Sequence, residues 1–310
     1  MIVTVESTPG TNAEKEKQQE DPRRIALRQI AESTLETIQK GSYLNRDLAS
    51  SVATSKQNTR YYAPDSLLST WASHKLDTSI TSKTQISLLE ISTLEGARLI
   101  ANSHTPGLCP RIGVLNFASA KKPGGGFLTG AQAQEESIAR SSTLYPTLMT
   151  RVAQSFYTLH NSQNVKSGYY SHAMIYSPGV IVIRDDHGGW VKPLTIDVLT
   201  CAAVNAGVVR QTISNITKSE KEEKIERLMK ERMARILSLF EQQGVRHLVL
   251  GSFGTGVFRN DVDVIAKIWG ELLLTEKARF SKSFERIVFA VLGRDTFETF
   301  GQVFAEYQRV

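Results

Sequence analysis

From Ile86 onward, short apolar runs alternate with stretches in which apolar residues recur every three or four positions. The runs Leu88–Ile91, Arg111–Leu115, Met174–Tyr176, Val180–Arg184, Thr195–Thr200, His247–Leu250 and Arg286–Leu292 are rich in Ile, Val and Leu and read as strands. Between them the helical period predicts Thr93–Ala101, opened by a Ser92/Glu95 capping box, and a helix over 134–150 broken near Pro146. It also predicts a long charged helix from about 219, then Val262–Leu274 and Thr296–Tyr307. Upstream, Asp21-Pro22 marks a helix start, an acidic N-cap with proline at N1. Leu27, Ile30, Ala31, Thr34, Leu35 and Ile38 form its buried side, and Gly41 is its stop.

Strands interleaved with helices imply an α/β fold of three layers around a mixed central sheet. No internal repeat and no linker interrupts residues 86–310, which read as one domain. Residues 21–85 read as an N-terminal helical extension whose Ser/Thr-rich part, 42–85, forms an irregular covering layer. Residues 1–20 are polar and aperiodic, and a disordered tail is expected there.

Composition narrows the classes. Apolar residues make up 41% and charged residues 22%, as in an ordinary globular chain. No apolar run reaches the roughly 18 residues of a membrane span, so no membrane partner is expected. The first 22 residues lack the basic and apolar regions of a secretory signal. With only Cys109 and Cys201 present, an intracellular setting, nucleus or cytoplasm, is expected. The six histidines show no metal-ligand spacing, so neither metal nor cofactor is expected. A formal charge of +6 suits an anionic ligand. The run 219–235 mixes both signs, with Glu220/Lys224, Glu223/Arg227, Glu226/Lys230 and Glu231/Arg235 at i,i+4. It reads as a solvated amphipathic helix and not as an arm for sequence-specific nucleic-acid binding.

The most informative stretch is RIGVLNFASAKKPGGGFLTGAQAQEESIARSS, residues 111–142. An apolar strand runs into Asn116, three glycines follow (Gly124, Gly125, Gly126), then seven residues and Gln134-Glu135-Glu136. Consecutive glycines weaken a scaffold but let backbone approach a bulky ligand. A second glycine-rich loop, Gly251-Ser252-Phe253-Gly254-Thr255-Gly256-Val257-Phe258, follows the strand His247–Leu250. Asn260 or Asp261 then caps a helix. Strand, glycine turn and helix start together form an anion cradle. Its spacing is not the dinucleotide fingerprint GxGxxG.

Three glycines, seven residues and QEE resemble the signature of poly(ADP-ribose) glycohydrolases, in particular the microbial branch built on a macrodomain. LNFASAKKPGGGFLTGAQAQEESIARSSTLY, YSPGVIVIRDD, TCAAVNAG and LVLGSFGTGVFRND resemble blocks of that family in the same order. Phe253 and Thr255 stand where the microbial family more often has Trp and Cys, which keeps an aromatic and a small residue.

The resemblance implies a macrodomain-like fold and cleavage of the ribose–ribose O-glycosidic bond of poly(ADP-ribose), releasing ADP-ribose. It assigns the general acid to Glu136 and ribose binding to Glu135, with Gln134 shaping the site. It makes 251–258 the diphosphate loop, with Phe258 against the ribose-phosphate portion. Adjacent helical carboxylates point about 100° apart, so they do not form the facing pair of most glycosidases. The acid step needs Glu136 protonated near neutral pH, which burial or the Glu135 charge would favour. Asn116 and Ser119 are candidate ribose ligands. Phe289, Phe297 and Phe300 are candidates for stacking on adenine. Arg184-Asp185-Asp186-His187 reads as a turn with local salt bridges. Poly(ADP-ribose) and ADP-ribosylated proteins are the implied partners. The alternatives are a macrodomain that binds ADP-ribose without cutting it, and a mono-ADP-ribosyl hydrolase.

Overall fold

The computed structural model describes residues 21–73, 82–105, 110–162, 167–213 and 215–308; the tail expected at 1–20, and Cys109, lie outside them. In chain order the elements begin with α1 (Pro22–Lys40), β1 (Ser42–Tyr43), β2 (Arg46–Asp47), α2 (Leu48–Asn58), β3 (Arg60–Tyr62), β4 (Gln85–Leu89) and α3 (Thr93–Asn102). The middle holds β5 (Ile112–Phe117), α4 (Gln134–Ser141), α5 (Leu144–Leu148), α6 (Arg151–Ser162), β6 (Met174–Arg184), β7 (Trp190–Cys201) and α7 (Ala206–Gln211). The last part holds α8 (Lys218–Gln242), β8 (His247–Leu250), α9 (Val262–Leu273), β9 (Arg286–Ala290) and α10 (Arg294–Gln308).

Seven strands form one mixed sheet in the order β3-β6-β7-β5-β8-β9-β4. The pairs on either side of β6 are antiparallel, and β7, β5, β8, β9 and β4 run parallel. Side chains alternate between two buried layers, as period two requires. Leu115, Leu248, Leu250, Ile287 and Phe289 face a core shared with α8, α9 and α10. Ile112, Val114, Val249 and Val288 face a second core with α3, α4, α5 and α6. The expected three-layer α/β arrangement is present.

Local signals set the helix ends. The Asp21 carboxylate accepts from Arg23 N–H, and Gly41 closes α1 at φ 77°. Capping boxes open α3 and α8. Several readings differ; strand β4, for instance, is Gln85–Leu89 and not Leu88–Ile91. The pair Met174–Tyr176 and Val180–Arg184 is one strand with a register shift between Ser177 and Val180. The 134–150 helix breaks at Ser142, not near Pro146, because Ser142 bridges to Val182. Helix α8 is solvated only in its first half: Arg232, Arg235, Ser238 and Glu241 are buried. Of its four expected i,i+4 pairs, Glu231–Arg235 forms an ion pair at 2.7 Å.

The N-terminal extension is built into the sheet and the site. Its segment 42–85 is not an irregular layer as expected: it contains a helix, α2, and an edge strand, β3, paired with β6. Helix α1 packs on α4 and on the glycine loop before it. At their contact Thr34, fully buried, donates to Arg140 O (2.7 Å) and accepts from Arg184 Nε (2.7 Å). Thr34→Val keeps the shape and removes both bonds. We expect it to cost about 2 kcal/mol, read as a lower urea midpoint at unchanged m.

Candidate active site

Two loops meet over neighbouring parallel strands. The first follows β5 and ends in α4; the second follows β8 and ends in α9. Between them lies a cleft of about 1110 Å³. A ligand crevice over the carboxyl ends of parallel strands is the position that α/β sheets favour.

Gly124 and Gly125 both adopt left-handed conformations, φ 68° and 60°. At Gly125 a Cβ would lie 2.2 Å from Glu136 Oε1 and 3.1 Å from Glu135 Oε2, so glycine lets the backbone lie directly against both carboxyls. Gly126 N–H donates to Glu136 Oε1 (2.9 Å) and orients it. Gly125 and Gly126 line the cleft. Gly124 does not; it packs down toward Phe127 and Ala139.

Helix α4 begins after Ala133, which supplies no side-chain cap. Its first turn instead holds Glu135 and Glu136, where carboxyls suit the dipole. The two differ sharply in environment. Glu136 is half-buried on the cleft wall. Glu135 is only 1% exposed. Its Oε2 accepts from Ser119 N–H (2.6 Å) and its Oε1 from the Asn116 amide (3.3 Å). Burial pushes the Glu135 carboxyl up to about 8, the nearby Glu136 charge adds to the rise, and those N–H donors oppose it. The burial that the sequence reading gave to Glu136 therefore belongs to Glu135.

This has a measurable consequence. The folded Glu135 carboxyl holds its proton more tightly than the unfolded chain, with about 8 against 4.5, so stability falls as pH rises through that window. We expect wild type to lose on the order of 3 kcal/mol relative to Glu135→Gln between pH 5 and pH 8. Denaturant titrations at both values check this; a difference independent of pH would contradict it.

Other assigned residues take supporting roles. Asn116 lies within β5, on the side facing α4, and is fully buried outside the cleft lining. Its amide nitrogen donates to Glu135 and to Thr200 Oγ1 (3.1 Å), so it supports Glu135 from behind the cleft wall. Gln134 spends its amide on Phe117 N–H (2.8 Å), Leu115 O (2.7 Å) and Thr93 Oγ1 (3.2 Å). It shapes the site by tying α4 to the end of β5. Ser119 lines the cleft, and its hydroxyl accepts from the N–H groups of Lys121 and Lys122.

In the second loop Ser252, Phe253, Gly254, Thr255, Gly256, Val257 and Phe258 line the cleft. Gly251 does not: its carbonyl accepts from Trp269 Nε1 (3.1 Å), and a Cβ there would lie 2.5 Å from Ala290 O. Gly254 is left-handed, φ 77°, and the Asn260 amide clamps its carbonyl (2.9 Å). Asp261, not Asn260, is the N-cap of α9. Phe253 is fully buried beneath the loop, against Phe117 at 5.6 Å.

The stacking candidates are corrected. Phe289 and Phe300 are fully buried in the core with α10, and Phe297 does not line the cleft. The apolar wall includes Ile91, Phe117, Val257, Phe258 and Leu292. The 184–187 turn also differs from expectation. Arg184 donates to Thr34, Ser33 and Gly188 O, while Asp186 accepts from Ser92 Oγ (2.5 Å) and Ser137 Oγ (2.6 Å) at the starts of α3 and α4. Arg23 of α1 also lines the cleft, donating to the Gln132 side-chain oxygen at 2.6 Å when that amide is turned to present it. The helical pattern of α1 gave no sign of this role, and Phe117 was signalled only by its place beside Asn116. Among the described residues, no group of three or more His, Cys, Asp or Glu is placed to hold a metal ion.

Fold and site define a three-layer α/β protein with a glycine-lined cleft and two carboxyls at a helix start. A family model for the microbial-type PARG catalytic domain matches residues 31–185. Poly(ADP-ribose) glycohydrolase (PARG) from Thermomonospora curvata is similar at 36% identity and TM-score 0.78, over 91% of this chain and 99% of that one. The same enzyme bound to the inhibitor ADP-HPD matches at 35% identity and TM-score 0.77, over 90% and 99%. PARG from Deinococcus radiodurans in complex with ADP-ribose matches at 31% identity and TM-score 0.70, over 82% and 97%. No curated protein matches. The chain belongs to the microbial-type PARG family.

Proposed function

We propose that the chain hydrolyses the ribose–ribose bond of poly(ADP-ribose) and releases ADP-ribose, with Glu136 as general acid. The observation that carries this assignment is the contrast at the start of α4. Both carboxyls line the cleft, but one is half-exposed at its wall on a Gly126 N–H, and its neighbour is 1% exposed and held from behind by Ser119 and Asn116. An acid must first reach the proton's destination, and only then does its pKa matter. Glu136 meets the first condition.

In the proposed step Glu136 gives its proton to the leaving ribose oxygen as the C1″–O bond breaks. C1″ gains oxocarbenium character, and the ionised Glu136 stabilises it. Water then attacks C1″ and returns a proton to Glu136. Glu135, kept neutral near pH 7 by burial, holds the ribose without adding a second negative charge beside Glu136. The glycine loop 251–258 offers the diphosphate its backbone. The Glu135 proton favours a second assignment, with Glu135 as the acid. Its 1% exposure and its two N–H donors speak against direct access to the leaving oxygen.

The test is ADP-ribose release from poly(ADP-ribose) and from proteins carrying it, without added metal, compared with Glu136→Gln and Glu135→Gln. Release from singly modified protein but not from polymer would move the reading to a mono-ADP-ribosyl hydrolase. Tight ADP-ribose binding with no release from any substrate would make the chain a reader.

A further inference from the structure

We propose that Tyr170 is a positioning residue for Phe258, the aromatic side chain that the second loop offers to the substrate. The inference rests on the proposed function, because it takes Phe258 as a substrate contact. Residues 167–173 do not line the cleft themselves, but Tyr170 packs against Phe258, which does. The Tyr170 ring meets Phe258 at 5.8 Å and 39°, within the range of favourable aromatic pairs.

Tyr170 is itself fixed from three sides. Its ring stands edge-on to His160 at 5.6 Å, and the Asn205 side chain lies beside its hydroxyl. Its carbonyl and that of Tyr169 accept from Arg232 Nη2 (3.4 and 3.1 Å), and Arg232 is fully buried. The backbone locks the same arrangement. Gly168 O accepts from Asn205 N–H (2.8 Å), and Phe258 O accepts from Gly207 N–H (3.1 Å), so residues 167–173 and the second loop are both pinned to the start of α7.

Strain points to the same contact. Among the described residues four non-glycines have positive φ, and two of them, Tyr170 (51°) and Arg259 (55°), bracket it. An aromatic residue held left-handed is kept there by its surroundings, and such sites cluster around ligand clamps. Tyr170 packs on the core shared with α6, and Phe258 on the core shared with α8 and α9. The pair therefore joins the two layers at the cleft. A ring preordered against Tyr170 loses less freedom when substrate arrives.

The experiment compares Tyr170→Phe and Tyr170→Asn in the full chain, measuring ADP-ribose Kd, KM and kcat on poly(ADP-ribose), and Tm. Asparagine tolerates the left-handed backbone but has no ring. Tyr170→Asn is expected to raise Kd and KM about tenfold with kcat nearly unchanged, and Tyr170→Phe to stay near wild type. In a Phe258→Ala background the Tyr170→Asn effect should vanish, since it acts through that ring. If Tyr170→Asn does not fold, Tyr170→His carries the test, with a several-fold rise in KM expected. Unchanged Kd in the folded variant, an effect confined to kcat or Tm, or full additivity with Phe258→Ala would overturn the inference alone. Absence of ADP-ribose binding by wild type would overturn the reading of the site together with it.

Discussion

Replacing Glu136 by glutamine is expected to slow ADP-ribose release from poly(ADP-ribose) by about 10²–10⁴-fold, with ADP-ribose affinity held within a few-fold. The amide keeps the size of the carboxyl and can still accept from Gly126 N–H, so the loop has no reason to move. What it loses is the proton for the leaving oxygen and the charge that follows. An interaction made only in the transition state lowers kcat and leaves ground-state binding nearly intact. Single-turnover release and equilibrium binding on the same preparation separate the two. If Glu135→Gln, and not Glu136→Gln, abolished release, the acid would have to be reassigned to the buried carboxyl.

The second large effect is expected at Gly125, which makes no bond in the chemistry. Gly125→Ala places a methyl 2.2 Å from Glu136 Oε1 and demands φ 60° from an L-residue. The strain alone costs roughly 1–2 kcal/mol. The contact is worse, because the neighbour is the carboxyl proposed as the acid. Either Glu136 swings away, breaking its Gly126 contact, or the loop shifts. A displacement near 1 Å at a reacting group can cost about 10²-fold in rate. We expect a loss of kcat of about that size with a modest fall in Tm. Wild-type kcat in Gly125→Ala would mean that loop and carboxyl move independently.

Much of this site was legible locally. The GGG-x7-QEE spacing and the second loop after His247–Leu250 could be read from residue types alone, because positive φ and close approach need glycine and helix starts favour acids. The strand His247–Leu250 was placed to the residue, as was α1 between its Asp21-Pro22 start and Gly41 stop. These are signals carried within a few neighbours of one another.

Roles that depend on burial were not legible in that way. Asn116 looked like a ligand at a strand end, but β5 continues one residue beyond it and closes it under α4. Phe289 and Phe300 looked available for stacking, but α10 packs over β9 and seals them. Arg23, which lines the cleft, and Tyr170, which packs against Phe258, carried no motif, since each comes from an element far away in sequence.

The sequence by itself determined most of the elements from Ile86 onward, the two glycine loops and the pair of carboxyls, because capping, periodicity and backbone permissiveness are short-range properties. Only the tertiary structure decided which carboxyl is buried and so holds its proton more tightly, which stands half-exposed at the cleft wall, and what packs against Phe258. Desolvation and aromatic contact depend on what the rest of the chain lays over a residue, and that is settled only when the layers pack.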